Sequence, residues 1–381
     1  MREDIKKHEF ILFVSDHYNP LCVARGLGYA SIKPIVIVVT KNLRLLNNCK
    51  YVDILHRVDT YEDAYKLLMD KYGGKDPKPF LYASNDKVIE VLDSHYDEIK
   101  NQFYLFNAGE QGRLHQLMNK DYIVSLAKEV GFNIPKSEVV NHGELPKTLK
   151  YPIITKTIMS IVGGWKNDVF ICHHEEELKE AYKSITAPQL ILQEFIVKKT
   201  ECCYEGFAVN GGKDVYIPFQ IKYLRFSEKS YGHYMTVEPI RDEVLREKLY
   251  ELIRRTHFEG IFDVEFLLGQ DDQLYFLEVN FRSTTWTHTM TCGGINAPVL
   301  WAKSMLAGHI NYESLHPQEE TFTAMTEIDD YFDNVKTHKI GFWNWWKDVK
   351  GCKCLFYYDR NDKKPLVNIL KGMVLSKLKL K

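Results

Sequence analysis

The stretch FDVEFLLGQDDQLYFLEVNFR, residues 262–282, decides the fold of this chain. Two segments rich in aromatic and β-branched residues flank residues 269–272, a pattern that predicts an antiparallel hairpin. A two-residue turn at Asp271-Asp272 would place Glu265 directly opposite Glu278 on one face. The other face is expected to pack on a core because it is wholly apolar, with Phe262, Val264, Phe266, Leu277, Val279 and Phe281.

The polar face of this hairpin gathers Asp263, Glu265, Glu278, Asn280 and Arg282. Like charges that face each other across a ladder destabilise it unless a cation lies between them. Hard divalent cations bound by carboxylates and substrate phosphates suit such a face. The plainer interpretation is a hairpin whose polar face simply meets water, which is common in antiparallel sheets. The motifs elsewhere in the chain favour the interpretation that this face binds a metal ion.

Glu278-x-Asn280-x-Arg282, preceded by Glu265, resembles the closing motif of the ATP-grasp ligases, and the resemblance extends from about residue 110 to 310. It implies an ATP-grasp fold of the α+β / α/β class, with two α+β lobes that clasp ATP behind a small parallel-sheet, Rossmann-like domain. It also implies ATP and Mg²⁺ as cofactors. Glu265, Glu278 and Asn280 would hold the metal, and Arg282 would be the catalytic residue at the transferring phosphoryl group.

Other expected parts of that family occur in the expected order. Lys120 opens a helical stretch, Lys156 closes the apolar strand 151–155, and Gly163-Gly164 lie in the following loop. By resemblance these are ATP-binding residues, together with an adenine hinge at Gln193, Glu194, Phe195 and Ile196 and a ribose ligand at Glu201. The loop 160–167 is expected to be mobile until phosphates order it. Each motif alone is weak evidence for the family, because lone lysines usually end in solvent and glycine pairs are usually turns. The occurrence of all of them in the expected order makes the resemblance specific.

Two further sets of candidates are less well matched to the family. Lys222 and Arg225 are candidate phosphate contacts, although both residue types also commonly lie on exposed strand faces. The segment 283–298 leaves the catalytic strand as a connector and is a candidate substrate loop. Its candidate contacts are Trp286, His288, Gly294 and Asn296.

The order of predicted elements suggests three regions. Residues 1–110 read as β-α-β units of a small parallel-sheet domain, residues 111–310 as the ATP-grasp domain, and residues 311–381 as a C-terminal extension. Within the ATP-grasp domain, residues 137–196 would form the small lobe and residues 197–310 the large catalytic lobe. Gly26-x-Gly28 imitates part of a dinucleotide fingerprint, but it falls late in a helix instead of directly after the strand, which excludes a dehydrogenase.

Composition is that of a globular enzyme: 381 residues, 45% apolar and 27% charged. Lys+Arg 50 against Asp+Glu 51 gives a net charge of −1, so no global basic field for nucleic acid exists. The eight cysteines lack paired CxxC spacing, and Cys352-x-Cys354 is too sparse for a metal site on its own. Reduced thiols, and the lack of a recognisable signal peptide or membrane span, predict a cytoplasmic protein.

The basic tail 374–381 is either a frayed end or a weak peripheral contact with an anionic membrane. The reaction predicted by resemblance is ATP-dependent ligation of a small-molecule carboxylate to an amine, with release of ADP and phosphate. The branch resembled is that of the D-aspartate ligases and carbamoyl-phosphate synthases, in which amino acids are joined to cell-wall or polysaccharide precursors. Alternatives are a biotin-carboxylase-like or kinase-type enzyme and a non-catalytic nucleotide-binding protein, and homo-oligomer formation is left open.

Overall fold

A computed structural model describes residues 4–157, 169–227 and 230–378 of the chain. Contacts divide these residues into two compact units. Unit 1 comprises residues 1–114, 203–263 and 280–381, and unit 2 comprises residues 115–202 and 264–279. The domain boundaries predicted at residues 110, 196 and 310 stay predictions.

A parallel sheet at the N-terminal end of unit 1 confirms the predicted β-α-β order. Its strands are β1 (Phe10–Ser15), β2 (Ile35–Val39), β3 (Ile54–Val58), β4 (Phe80–Ala83) and β5 (Tyr104–Leu105), in the spatial order β3-β2-β1-β4-β5. Each neighbouring pair is parallel. The apolar runs at β1, β2 and β4 are almost entirely buried, as strands covered on both faces should be.

Helices follow these strands and begin at side-chain caps. Asn85, for example, accepts a hydrogen bond from the Val88 amide at 2.9 Å and thereby starts the helix that carries Asp86. The helices are α1 (Tyr18–Tyr29), α2 (Tyr61–Tyr72), α3 (Asp86–Ser94), α4 (Tyr96–Ile99), α5 (Arg113–Leu117), α6 (Lys120–Val130), α7 (Glu175–Tyr182), α8 (Glu243–Thr256), α9 (Trp286–Cys292), α10 (Ala297–Ala307), α11 (Glu327–Asp330), α12 (Phe342–Gly351) and α13 (Lys364–Leu378). Among the described residues, none of these helices has the length and apolarity that crossing a membrane requires.

Unit 2 contains an antiparallel sheet formed by β6 (Ser137–Asn141), β7 (Ile153–Thr157), β8 (Ile171–Cys172) and β9 (Gln189–Glu194), in the order β6-β9-β7-β8. Its apolar face packs on α7, where Leu178, Leu190 and Leu192 are fully buried. Phe195 and Ile196 follow directly on the end of β9.

A larger sheet contains β10 (Lys198–Val209), β11 (Asp214–Tyr216), β12 (Phe219–Ser227), β13 (Ser230–Pro239), β14 (Gly260–Gly269), β15 (Leu274–Asn280), β16 (Phe322–Met325) and β17 (Cys354–Leu355). The order is β15-β14-β10-β12-β13-β16-β17, with β11 paired to β10. Strands β16 and β17 come from residues 311–381, a region for which the sequence predicts only an extension. The strands β10, β14 and β15 pass from one unit into the other.

The core of unit 1 is aromatic. Trp301 of α10 is completely buried and makes edge contacts with Phe80, Tyr82 and Phe106, at centroid distances of 5.8, 5.2 and 4.9 Å. The Tyr82 hydroxyl donates to the Pro298 carbonyl at 2.8 Å. These contacts fix the helix that follows the hairpin segment against the parallel sheet of the same unit.

The hairpin between β14 and β15 turns through three residues, 270–272, so the predicted two-residue turn at Asp271-Asp272 is wrong. The Gly269 amide donates to the Gln273 carbonyl at 2.9 Å, and the Asp272 amide donates to the Gly269 carbonyl at 3.1 Å. Asp272 adopts a φ of 60°, a left-handed conformation that aspartate tolerates better than most residues. A turn closed by a left-handed residue is the usual form of a three-residue hairpin loop.

A three-residue loop shifts the pairing of β14 with β15 by one residue relative to the predicted two-residue loop. The burial of side chains along β15 indicates how far this shift extends. Phe276 is 1% exposed and contacts the Phe266 ring at 5.7 Å, whereas Leu277, predicted for the apolar face, is only partly buried. Val279 is buried again. Since Phe276 and Val279 are three residues apart, the alternation loses one step between them, as at a β-bulge. Beyond that step the predicted phase is restored.

The glycines of α1 are packing positions. A Cβ on Gly28 would lie 2.2 Å from a Tyr51 ring atom, and one on Gly26 would lie 3.3 Å from Asn296 Oδ1. Both glycines stand in the last turns of the helix, at residues 26 and 28 of 18–29. The close approach of neighbouring side chains therefore accounts for the partial dinucleotide pattern.

Candidate functional site

Lys120 is the first residue of α6, and the cap of that helix positions it. Asn119 Oδ1 accepts hydrogen bonds from the amides of Asp121 and Tyr122 at 3.0 and 3.3 Å. The helix ends at Gly131, whose φ of 91° is left-handed. The prediction that Lys120 opens a helical stretch is confirmed.

Lys156 lies on β7, which pairs with β9 in the register Ile154 to Gln193 and Lys156 to Ile191. This register puts Lys156 and Gln193 on one face, diagonal to each other. The Lys156 ammonium donates to Gln193 Oε1 at 2.7 Å. The amide side chain predicted at the adenine hinge is thus in direct contact with the lysine predicted at the phosphates.

The electrostatic surroundings of Lys156 are unusual for a lysine. Burial, and next the positive charge of Lys120, lower its pKa to about 8, and the carboxylates of Glu278 and Glu201 oppose this shift. All four side chains belong to unit 2. Two cations and two carboxylates predicted for one nucleotide site therefore stand within electrostatic reach of one another, although they come from four separate elements.

Backbone and side-chain contacts hold the candidate adenine hinge. Glu194 Oε1 accepts from the Lys136 amide at 2.8 Å, and the Phe195 amide donates to the Pro152 carbonyl at 3.1 Å. Glu201, the candidate ribose ligand, pairs with the Lys198 ammonium at 2.7 Å. Gly163 and Gly164 lie outside the described residues, as does the loop 160–167.

The candidate metal ligands lie on the two strands of the hairpin, Glu265 on β14 and both Glu278 and Asn280 on β15. Glu265 on β14 and Glu278 on β15 are both partly buried, and residue 279, next to Glu278, is buried. Alternation therefore turns Glu278 and Asn280 away from the apolar face. Partly buried carboxylates on a polar strand face are donors that suit a hard cation.

Arg282 follows β15 and is held by two partners in unit 1. Its Nε donates to Asp86 Oδ1 at 2.6 Å, and one terminal nitrogen donates to Asn280 Oδ1 at 2.9 Å. Asp86 opens α3 of the parallel-sheet region, which the sequence did not connect with this motif. The guanidinium is therefore aligned by a carboxylate 196 positions away in the chain.

Glu205 is a further candidate that sequence reasoning missed. It lies on β10, is completely buried, and accepts hydrogen bonds from the hydroxyls of Thr284, at 2.6 Å, and Thr287. Burial raises the pKa of this carboxyl to about 8, against the opposing effects of the two threonines and Arg282. The available signal was a single acidic residue inside the apolar run 202–209. Perturbed carboxyls of this kind are enriched at functional sites.

The two candidate phosphate contacts are engaged in protein contacts. Lys222 pairs with Glu238 on the neighbouring strand at 2.5 Å. Arg225 binds Asp330 and Asp348, each at 2.6 Å, and its guanidinium lies 4.3 Å from the centre of the Tyr234 ring. Each arrangement matches the alternative interpretation of these residues as members of strand faces.

The segment 283–298, which the sequence predicts as a connector, contains α9 and the start of α10. Trp286 and His288 are 4% and 5% exposed, with the Trp286 ring 5.4 Å from Tyr223 and the His288 ring 5.1 Å from Phe356. These side chains pack in the interior of unit 1. Gly294 has a φ of 92° just beyond α9, and Asn296 Nδ2 donates to the Gly26 carbonyl at 2.7 Å. Asn296 therefore contacts the backbone of α1, which belongs to the same unit.

Sequence comparison finds distant relatives among ATP-dependent ligases, and no family model matches the chain. An N5-carboxyaminoimidazole ribonucleotide synthase of Staphylococcus aureus (strain MRSA252) is 26% identical over 167 residues, which is 43% of this chain and 43% of that protein. A D-alanine–D-alanine ligase of Fusobacterium nucleatum is 27% identical over 237 residues, 58% of this chain and 69% of that enzyme. The matched region thus spans less than half of the synthase's length.

Solved structures of other proteins superpose on most of this chain. The N5-carboxyaminoimidazole synthetase of Staphylococcus aureus complexed with ADP superposes with a TM-score of 0.65 at 16% identity, covering 87% of this chain and 85% of that one. The biotin carboxylase domain of the Hydrogenobacter thermophilus 2-oxoglutarate carboxylase, solved with MgADP and bicarbonate, gives 0.62 at 14% identity, with 83% and 74% covered. These enzymes share the ATP-grasp fold, so the predicted fold class and the resemblance to that superfamily are confirmed. Their complexes support the predicted cofactors, ATP and Mg²⁺.

Proposed function

Because the chain has the ATP-grasp fold, we propose that it is an ATP-dependent, ADP-forming ligase that activates a small-molecule carboxylate and joins it to an amine. The observation that carries this proposal is the group of charges around Lys156. Burial and Lys120 hold its pKa near 8 while Glu278 and Glu201 oppose the shift. The positive charges of Lys120 and Lys156 repel each other, which destabilises the nucleotide-free protein. Bound nucleotide phosphates would reduce this repulsion, and perturbed charged groups of this kind are enriched at functional sites.

The residues of the chain take distinct roles in this proposal. Lys120 and Lys156 bind phosphate oxygens, the backbone at Phe195 and Ile196 binds the adenine, and Glu201 binds the ribose. Glu265, Glu278 and Asn280 offer only oxygen atoms, the donor type that Mg²⁺ prefers. Bound Mg²⁺ would screen the charge of the transferring phosphate.

The chemistry follows from the reaction class. A carboxylate oxygen of the substrate attacks the terminal phosphorus of ATP, the bond to ADP breaks, and an acyl phosphate forms. The amine nitrogen then attacks the acyl carbon, phosphate leaves, and the nitrogen loses a proton. Arg282, whose guanidinium is positioned by Asp86 and Asn280, stabilises the negative charge on the transferring oxygens. The protein contributes placement and electrostatic stabilisation more than covalent chemistry.

The reaction is tested by ADP release from ATP and magnesium across a pool of amino acids, acidic sugars and bicarbonate, with mass spectrometry of the product. Hydroxylamine should trap the acyl phosphate as a hydroxamate once the correct acid is supplied. Formation of AMP and pyrophosphate would exclude the mechanism. Dependence on bicarbonate alone would instead identify the biotin-carboxylase-like alternative.

The metal assignment is tested by Glu278→Gln, which should abolish turnover while the fold survives, because a partly exposed carboxylate contributes little packing. Glu247→Gln is the matched control, since the side chain of Glu247 is 68% exposed and its closest basic atom is 3.8 Å away. Circular dichroism and the melting temperature of both variants check folding. Turnover of Glu278→Gln at the wild-type rate would refute the assignment.

A further inference from the structure

A cluster of metal-binding side chains lies outside the candidate nucleotide site. His288, Cys292 and Cys354 each offer one ligand atom, and these atoms all lie within 4.8 Å of one another. His288 and Cys292 stand four residues apart on α9, which puts them on one face of the helix. Cys354 comes from β17, so the cluster brings together two segments of unit 1 that are 62 or more positions apart in the chain. We call these three residues the His–Cys cluster.

The spacing of the cluster matches a tetrahedral ion. Zinc holds sulfur at about 2.3 Å and imidazole nitrogen at about 2.1 Å, so two such ligands around a tetrahedral centre stand roughly 3.6 Å apart. The distance from Cys292 Sγ to His288 Nε2 is 3.7 Å. An ion bound at Nε2 would replace the contact of that nitrogen with the Leu355 carbonyl and draw the three ligand atoms, now within 4.8 Å of one another, closer together.

The cluster is mostly buried. His288 is 5% exposed, Cys354 is fully buried, and His288 Nδ1 has no hydrogen-bond partner among the described residues. Two contacts to backbone carbonyls are present at the cluster. His288 Nε2 lies 3.1 Å from the Leu355 carbonyl, and Cys354 Sγ lies 3.8 Å from the His288 carbonyl.

A third thiol stands beside the cluster. Cys22 of α1 is 3% exposed and interacts with the His288 ring. None of the cysteines in the described residues forms a disulfide bond. A buried histidine surrounded by three thiols offers nitrogen and sulfur donors, the set that zinc accepts.

We propose that the His–Cys cluster binds one soft divalent cation of the zinc type, with His288, Cys292 and Cys354 as its protein ligands. Thiolate and imidazole donors select zinc over magnesium or calcium, which prefer oxygen. The ion ties β17 of the C-terminal segment to α9, the helix that begins four residues after Arg282. Its role is structural, so it is separate from the proposed Mg²⁺ site and independent of the proposed ligase reaction.

The sequence could not have revealed this site. Cys352-x-Cys354 looked too sparse for a metal, and in the structure Cys352 is not a member of the cluster. The other ligands, His288 and Cys292, lie in a segment whose interior position the sequence did not indicate. Only the pairing of β17 with β16 brings Cys354 to them.

The proposal is tested with Co²⁺, a spectroscopic substitute for zinc, added to metal-free protein under reducing conditions. The full-length wild type should bind one Co²⁺ per chain, with intense visible bands of a tetrahedral ion and a near-ultraviolet sulfur-to-metal charge-transfer band, and Zn²⁺ should displace it. Cys292→Ser and Cys354→Ser should each weaken binding at least 100-fold. Cys352→Ser is the matched control and should bind as the wild type does.

Specific results would overturn the proposal. One is wild-type protein that shows no charge-transfer band, and another is equal loss of affinity in Cys352→Ser. A third is mass-spectrometric detection of a Cys292–Cys354 disulfide in protein that still binds no Co²⁺ after reduction, which would make the pair a redox site. If a serine variant does not fold, the wild-type spectrum and a Zn²⁺-dependent rise in melting temperature, absent with Mg²⁺, still decide the question.

Discussion

Lys156→Met should stabilise the nucleotide-free protein at pH 7 while removing its affinity for ATP. The buried ammonium has a pKa of about 8 instead of 10.5, first because of burial and second because of Lys120. At about 1.4 kcal/mol per pH unit, that difference corresponds to roughly 3 kcal/mol of unfavourable free energy in the folded state. Loss of the hydrogen bond to Gln193 offsets about 1 kcal/mol of the gain. The net expectation is about 2 kcal/mol of added stability.

The sign of the pH dependence follows from the same values. Below pH 8 the lysine is charged in both the folded and unfolded states, so the full penalty is present. Between pH 8 and 10.5 the unfolded state binds more protons than the folded state, and this term therefore makes the wild type more stable as the pH rises. The advantage of Lys156→Met should shrink across that window and vanish above it.

The assay is urea unfolding without nucleotide at pH 7, 9 and 10.5, combined with calorimetric titration of ATP and magnesium at pH 7. Lys136→Met is the control, because Lys136 is exposed and its loss should change stability by less than about 0.5 kcal/mol. A Lys156→Met variant that is less stable than the wild type at pH 7 would refute the reasoning. Retained ATP affinity would refute the proposed role of Lys156 at the phosphates.

Three further predictions concern unit 1. Asp362→Ala should cost about 3–5 kcal/mol in urea unfolding, because it leaves the fully buried Arg25 guanidinium without its ion pair; a cost below 1 kcal/mol would contradict this. Arg282→Met should leave ATP affinity within about tenfold but lower kcat by about a hundredfold or more, whereas unchanged kcat with a lower melting temperature would mark a structural arginine. Burial raises the pKa of Glu205 to about 8, so this carboxyl lowers wild-type stability progressively between pH 4.5 and 8. The melting temperature of the wild type should therefore fall as the pH rises from 4.5 to 8, and that of Glu205→Gln should fall less. The same pH profile in both proteins would show that the Glu205 carboxyl does not cause the fall.

The sequence predicted local features well where short-range chemistry determines them. The helix from Lys120 to Gly131 has a polar N-cap and a glycine C-cap, both visible in the chain. The apolar runs at β1, β2 and β4 are likewise typical of buried parallel strands. Strand β3 was missed because its burial is only partial and its sequence, ILHRV, mixes apolar and basic residues.

Features that depend on distant segments were not predictable from one sequence. The buried Glu205 accepts hydrogen bonds from Thr287 of α9 and from Thr284 in the segment before that helix, and these threonines lie 82 and 79 positions away in the chain. Asp86 lies 196 positions from Arg282. No local pattern encodes such contacts, because a carboxylate, a threonine or an arginine has the same spacing signals whether it is solvated or paired.

The hairpin at residues 262–282 shows how a wrong prediction of the turn can still place Glu278 away from the apolar face. A three-residue turn instead of two should invert the faces of β15, because side chains alternate with a period of two. Burial at both Phe276 and Val279 shows that the strand skips one step before it reaches Glu278. The three-residue turn and the skipped step have opposite effects on side-chain direction. Glu278 therefore points away from the apolar face, as the two-residue turn predicted. Either irregularity alone would turn Glu278 toward the apolar face, where an ionised carboxylate would be strongly destabilising.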